Sequence, residues 1–424
     1  MNFILESSFV LGFITLISTL IPFSVRRDLL AFTFISLFIF LFQIIPLLVI
    51  FTEGENIFNE KYYSRYFYAR QSIYFAGIFL INFYIVYRLF GRNKINTSKF
   101  IKDNVNYFKK YSSIALYLLA TGIILKIVGG DLFHSSIYQF PWQFPLLYGI
   151  SDRIFFFGVM LIMVNIYFFG ARNKFGAAFL MLLFFSIIAG SRILILIPVS
   201  FLIILHASLN DNKTMIKTVF LGFSVLFSII VFIGLYRIDA NTRIFEFEAL
   251  ADLFLFRISE FYWPMALIEK IDNNIVSMNP SWIISGFWGI FPASVSDFLN
   301  VNSVFGRDTK MMLDVAGLGN IYMSVPLTPI GEGYYWFGKF GVALIGGLYG
   351  FGFVLVNFFL KKMKTILSVL VILQLYRLTF TLTVASYPEF ISFISKDIII
   401  SLLLSMIILT IFHVKSSIKI QNPN

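Results

Sequence analysis

The chain contains no cysteine, so neither a disulfide nor a thiolate metal site can form. Histidine is scarce. His134, His206 and His413 are far apart and give no metal-ligand spacing. Charge is scarce as well, at 13% of 424 residues. A soluble domain of this length needs far more polar surface than that. No GxxxxGKS/T stretch is present, which excludes ATP hydrolysis by a phosphate-binding loop. No HExxH is present, which excludes that metalloprotease class. No Asp-x-Asp pair is available to hold a metal-bound nucleotide sugar. The substrates of an enzyme built this way arrive in or on the membrane.

What is there is apolar: 58% of the residues are hydrophobic and 54 are Phe. Eleven runs have roughly the 15–25 residues needed to cross about 30 Å of hydrocarbon. They lie near 3–23, 29–51, 72–90, 112–128, 153–170, 175–190, 193–208, 218–235, 336–360, 365–385 and 391–413. The expected fold class is therefore an all-α polytopic membrane protein, a single integral membrane domain over 1–424. The pair 175–190 and 193–208 meets at Gly190-Ser191-Arg192 and reads as a hairpin with the arginine at the surface. No Lys or Arg precedes the first run and Glu6 stands in its place, so that run reads as an uncleaved span.

The net charge of +11 is unevenly placed. The connections after spans one, three, five, seven, nine and eleven, with the adjoining helix ends, hold 18 of the 33 basic residues. Only Asp28, Asp103 and Asp211 oppose them. The positive-inside rule then puts the N-terminus outside and the C-terminal tail, 415–424, in the cytoplasm. The basic surplus is thus a topology signal and not a nucleic-acid footprint. The outer side carries the one large loop, 236–335. Within it, "FEALADLFLFRISEFYWPMALIEKI" has helical spacing, and "SWIISGFWGIFPASV", broken by Pro292, reads as interfacial or re-entrant.

The candidate functional residues gather on that outer side. Arg192 follows two small residues at a hairpin tip. Arg237 and Arg243 lie in "GLYRIDANTR", and Arg307 in "FGRDTK". Arginine grips phosphate with two donors at once and stays charged near lipid. Each is either a phosphate ligand or a boundary anchor whose head reaches for water. Glu332, between Gly331 and Gly333, is a candidate general base or sugar-hydroxyl ligand, or a helix N-terminal acid complementing the dipole. Asp252 and His134 are further candidates for the base, against an ion-paired face and a surface residue respectively. Tyr334, Tyr335 and Trp336 form an aromatic belt or a sugar platform. Gly346 and Gly350 have the spacing of close helix packing. Arg377 and Lys396, in or beside the last two spans, pair with Glu389 or Asp397 or face an internal cavity.

Together, Gly190-Ser191-Arg192 opening an apolar helix, an arginine leaving span eight, the large outer loop, Gly331-Glu332-Gly333-Tyr334 and Phe337-Gly338-Lys339-Phe340-Gly341 resemble the Wzy-type O-antigen polymerases, or oligosaccharide repeat unit polymerases. The resemblance covers most of the chain in topology, and in sequence mainly 190–192 and 331–341. It implies a cofactor-free, metal-independent glycosyltransferase of the bacterial inner membrane with its site facing the periplasm. Its substrates would be undecaprenyl-pyrophosphate-linked oligosaccharides, and a chain-length regulator protein is a further implied partner. Arg192 and Arg237 would hold the departing pyrophosphate. Glu332, Asp252 or His134 would orient or deprotonate the acceptor. Tyr262, Trp263 and Trp288 would stack on sugars. An O-antigen ligase shares the layout, but ligases of that kind carry a functional His in the large loop, and 236–335 contains none. A repeat-unit flippase is the alternative of a different class, and a structural partner of a glycan-assembly complex is a third reading.

Overall fold

The computed structural model describes residues 8–47, 50, 60–91, 96–110, 112–128, 145–170, 176–178, 180, 182, 193–218, 221–222, 224, 263–280, 328–363, 365–384, 390–391 and 393–421. Among the described residues there is no strand. Twelve helices carry the argument, and we number them α1 Ser8–Val25, α2 Leu29–Ile39, α3 Glu60–Phe90, α4 Thr97–Asp103, α5 Val105–Lys110, α6 Ser112–Val128, α7 Pro145–Phe169, α8 Ile193–Leu209, α9 Trp263–Asp272, α10 Thr328–Lys362, α11 Thr365–Val384 and α12 Ile398–Gln421. Five stretches are long and apolar enough to cross a membrane: Leu29–Leu47, Tyr68–Phe90, Ser151–Phe169, Thr328–Lys362 and Phe393–Thr410. Four shorter apolar helices, Leu11–Val25, Ile114–Val128, Leu196–Leu209 and Leu367–Thr383, match further expected spans. The remaining expected runs, 175–190 and 218–235, fall largely outside the described residues.

α2 is the centre of the bundle. All eleven of its residues are buried, in keeping with a sequence that is apolar all round except for Thr33 and Ser36. It starts where it does because Asp28 caps it, accepting from the Leu30 and Ala31 N–H groups at 3.2 Å each. It passes through one π-helical turn at Phe40–Ile44. Phe34 and Phe38 of α2 interleave with Phe79 and Phe83 of α3 and with Tyr349 and Phe353 of α10, the Phe38 and Phe79 rings stacking at 4.4 Å. α10 lies close on α3 because Gly346 and Gly350 have no side chain. A Cβ on either would come within 2.4 Å of the Phe79 or Phe83 carbonyl oxygen. The Gly-x-x-x-Gly spacing thus serves the tight helix contact expected of it.

The basic connections share one end of the bundle. The Thr97 N–H donates to the Arg27 carbonyl at 2.9 Å, and the Leu29 N–H donates to Thr97 Oγ1 at 2.6 Å. Ser98 Oγ donates to Ser208 Oγ at 2.7 Å, and Arg26 donates to Asn212. Tyr87 donates to Asp28 Oδ2 at 2.7 Å, joined there by the Asn357 amide. Lys109 lies 5.2 Å from the centre of the Phe169 ring. These contacts place the ends of α1, α3, α7, α8 and α10 together at what we call the basic end.

Sequence and structure part at the start of α10. The sequence assigns 328–335 to the large outer loop and starts a span at 336. Instead Thr328–Trp336 is already helical and fully buried. Residues 328–335 read Thr-Pro-Ile-Gly-Glu-Gly-Tyr-Tyr, whose proline, glycines and acid look like loop, so apolar length alone could not reveal a buried helix before the break.

Candidate functional site

The break in α10 shapes the site. Backbone angles leave the helical range at Phe337 (φ −144°, ψ 30°) and Gly338 (φ 61°, ψ −138°). The Gly338 conformation belongs to a region that residues with a Cβ avoid. Here the chain turns and lays a short arm, 328–336, against the start of the long arm. Gly333 and Gly341 meet at the crossing. A Cβ on Gly341 would lie 1.8 Å from the Gly333 carbonyl oxygen, and one on Gly333 would lie 2.8 Å from the Gly341 oxygen and from Ile345 Cγ2. One glycine makes the turn and two permit the contact.

Glu332 lies on the short arm with 0% of its surface exposed. Buried carboxylates in apolar surroundings are costly, which marks the position as functional or tightly paired. Tyr334, Tyr335 and Trp336 are buried beside it, so their ring faces pack on protein. Phe75 meets the Tyr334 ring edge-on at 5.1 Å.

A second element holds the arm in place. α9 buries Met265, Leu267, Ile268 and Ile271 and turns its acids to two tyrosines. Asp272 accepts from the Tyr334 hydroxyl and Glu269 from the Tyr68 hydroxyl. After α9 the chain crosses the break. The Asn279 N–H donates to the Tyr335 carbonyl at 2.9 Å, and Met278 lies 3.8 Å from where a Gly338 Cβ would stand. α9 therefore clamps the Glu332 arm onto α3.

A charged cluster joins four further elements. Lys126 of α6 meets Asp152 of α7 at 3.0 Å, and Arg377 of α11 pairs with the same carboxylate. Arg153 pairs with Asp397, in the π-helical turn Phe393–Asp397 that leads into α12. Arg377 also lies 4.9 Å from the Phe156 ring centre. The sequence offered Glu389 or Asp397 as partners for Arg377. The structure pairs it with Asp152, and Glu389 is outside the described residues. Asp152 lies 17 residues before Phe169, about 25 Å of helix away from the basic end.

Of the residues singled out from sequence, the structure describes Glu332, Tyr334 and Tyr335 and brings them together on one arm. Trp263 opens α9. Arg192, Arg237, Arg243, Arg307, Asp252, His134, Tyr262 and Trp288 lie outside the described residues. Sequence reasoning passed over Glu269 and Asp272, and also Lys126, Asp152 and Arg153. A signal existed for the last two: an Asp-Arg pair at the head of a charge-free apolar run needs partners from other helices. Among the described residues no three Asp, Glu or His side chains converge on a point suited to a metal ion. Compared with protein-family models, curated proteins and solved structures, the chain matches none of them.

Proposed function

We propose that the protein polymerises undecaprenyl-pyrophosphate-linked oligosaccharide repeat units, as a metal-independent glycosyltransferase of the bacterial inner membrane. The observation that supports this reading most is a fully buried carboxylate, Glu332, on a glycine-hinged arm. That arm and the hinge after it carry the Gly331–Gly341 stretch, which with Gly190-Ser191-Arg192 bears the resemblance to repeat-unit polymerases. In the proposed orientation the basic end faces the cytoplasm and Glu332 works from the periplasmic half.

In this reading the bond between the growing chain's anomeric carbon and its lipid diphosphate breaks. A new bond forms from that carbon to a hydroxyl of the incoming unit. Glu332 orients that hydroxyl and takes its proton. Arg192 and Arg237, with Arg243 and Arg307 as further donors, stabilise the diphosphate as it leaves with the bonding electron pair. Asp252 and His134 are the other candidates for the base. Tyr262, Trp263 and Trp288 offer sugar-stacking faces, with Tyr335 closing the wall beside Tyr334.

Two conservative substitutions test it. Arg192→Lys keeps charge and reach but loses the two-donor grip. Glu332→Gln keeps shape but cannot take a proton. Each is expected to slow chain growth by about 10²–10³, the usual cost of one preorganised group, with the folded protein retained. Normal glycan ladders from both variants would overturn the proposal.

A second reading, a flippase for lipid-linked oligosaccharides, gains from two observations. The broken helix and the ion pairs shared by four elements are both features of membrane transporters. Vesicles separate the two: a flippase moves a lipid-linked repeat unit across the bilayer and leaves its length unchanged.

A further inference from the structure

Glu332 is enclosed on every side, with 0% of its surface exposed. A substrate hydroxyl meets it only if the arm that carries it moves. The backbone marks where such a motion turns. Among the described residues four have positive φ: Gly170, Asn274, Thr328 and Gly338. Two of them bound the arm. Gly338 (φ 61°) ends it against the long part of α10, and Thr328 (φ 54°) begins it. A β-branched residue in the left-handed region is strained, and such strain persists only where neighbouring contacts hold it.

Asn274 (φ 57°) belongs to the element that holds the arm shut. The Ile275 N–H donates to the Lys270 carbonyl at 2.8 Å, and the Asn274 N–H to the Ile271 carbonyl at 3.0 Å. This is the paired helix ending that a left-handed residue permits, and it makes a firm corner at the end of α9. From that corner one short segment grips two adjacent arm residues. Asp272 accepts from the Tyr334 hydroxyl, and the Asn279 N–H donates to the Tyr335 carbonyl at 2.9 Å. Met278 lies beside Gly338, over the hinge. Glu269 ties the same helix to Tyr68 of α3.

The grip is placed where it can be released. Asp272, Asn273 and Asn274 are exposed, and Glu269 and Asn279 are half-buried. Water therefore takes over the Asp272 hydrogen bond when the Tyr334 hydroxyl leaves, and opening strands no charge. The seam at Gly333 and Gly341 is backbone against backbone, with no glycine side chain to interlock.

We propose that the arm 328–336 is a gate over Glu332, hinged at Thr328 and at Phe337–Gly338, and that α9 with the strap 273–279 is its latch. Opening uncovers Glu332 to a substrate, and closing seals it again. That a glycan hydroxyl is what enters rests on the polymerase reading, but the motion does not.

The lack of native cysteine makes the gate readable, because an introduced cysteine is the only thiol in the chain. Ile330→Cys places one on the arm, where the native side chain is 0% exposed, and Val356→Cys places one deep in the long part of α10, at a position 2% exposed. The rate of reaction with N-ethylmaleimide is measured on the full chain in detergent. Tyr334→Phe keeps the ring against Phe75 and removes the latch hydroxyl. It is expected to speed labelling of Ile330→Cys about fivefold, the shift that one lost hydrogen bond gives a local opening equilibrium, and to leave Val356→Cys unchanged. Unchanged labelling at both positions would overturn the proposal. An equal rise at both would overturn it too, since the whole bundle would then have loosened. If Tyr334→Phe fails to fold, Asp272→Ala at the exposed end of the latch takes its place. The same selective rise is expected, and unchanged labelling would count against the gate. No glycan enters this assay. The expected labelling in a protein that builds no chains would remove the polymerase reading and keep the gate.

Discussion

The two ends of the bundle are built on different principles. At the basic end the polar groups are short, mostly neutral and matched. Thr97, Ser98, Ser208, Tyr87 and Asn357 tie four connections together around one buried acid, Asp28. Asp28 and Asn96 cap the starts of α2 and α4 there. Toward the other end α10 breaks, a carboxylate is buried on a folded-back arm, and charges pair across four elements. Natural sequences depart from local regularity mainly where function demands it. The proposed function reads this contrast as a basic end that holds the helices in register and another end that carries chemistry and ligands.

The sharpest way to break that contrast is at Asp152. In Asp152→Asn, Lys126 and Arg377 lose their shared counter-charge while they stay in place. Removing the acid from a buried ion pair typically costs about 3–5 kcal/mol, and the exposed edge of Arg377 puts this case toward the lower figure. Thermal unfolding in detergent should show a large drop in Tm. A Tm equal to that of the wild type would mean the ion pairs are not formed.

A smaller effect is expected at the hinge. In Gly341→Ala the new methyl group meets the backbone oxygen of Gly333, which no side-chain rotation can relieve. Overpacking of this kind costs about 1–3 kcal/mol. The loss should fall on the short arm, with chain growth reduced more than Tm. Full activity would show that the arm is not needed where the structure places it.

The smallest effect belongs to the basic end. Burial pushes the Asp28 carboxyl above its usual value of 3.8, against the opposing pull of Asn357, Tyr87 and the two cap N–H groups. A raised acid favours the folded state below the unfolded value, and that contribution is lost as pH rises through the folded value. Asp28→Asn keeps acceptors for the cap and carries no charge. Relative to Asp28→Asn, the wild type should lose stability as pH rises from about 4 toward neutrality. A difference between the two proteins that does not vary over that range would show that the acid is not buried uncompensated.

How much of this was legible in the sequence follows from the range of each interaction. Long apolar runs mark their own helices: nine of the eleven expected runs have helical counterparts among the described residues, five of them long and apolar enough to cross a membrane. The grouping of basic connections at one end was legible for the same reason, since each connection carries its own Lys and Arg. Gly346 and Gly350 could be read because the helix repeat alone puts them on one face. The break at Phe337–Gly338 could not. Helix continues on both sides of it, and the need for Gly338 arises from a turn whose two arms meet only in three dimensions. Nor could the partner of Arg377 be read, because Asp152 lies on a helix distant in sequence and only packing brings them together. The clamp by Glu269 and Asp272 was missed because two acids on a short amphipathic helix look like a solvated face until the tyrosines arrive from α3 and α10.

The central claim, that this membrane bundle joins lipid-linked glycans end to end, is tested most directly by product length. Purified protein is reconstituted in vesicles and given a single polyprenyl-diphosphate-linked repeat unit with no nucleotide sugar. Separated products should form a ladder of dimers, trimers and longer chains, with one polyprenyl diphosphate released for each linkage made. A substrate that keeps its single-unit length, with or without movement across the bilayer, would contradict the account.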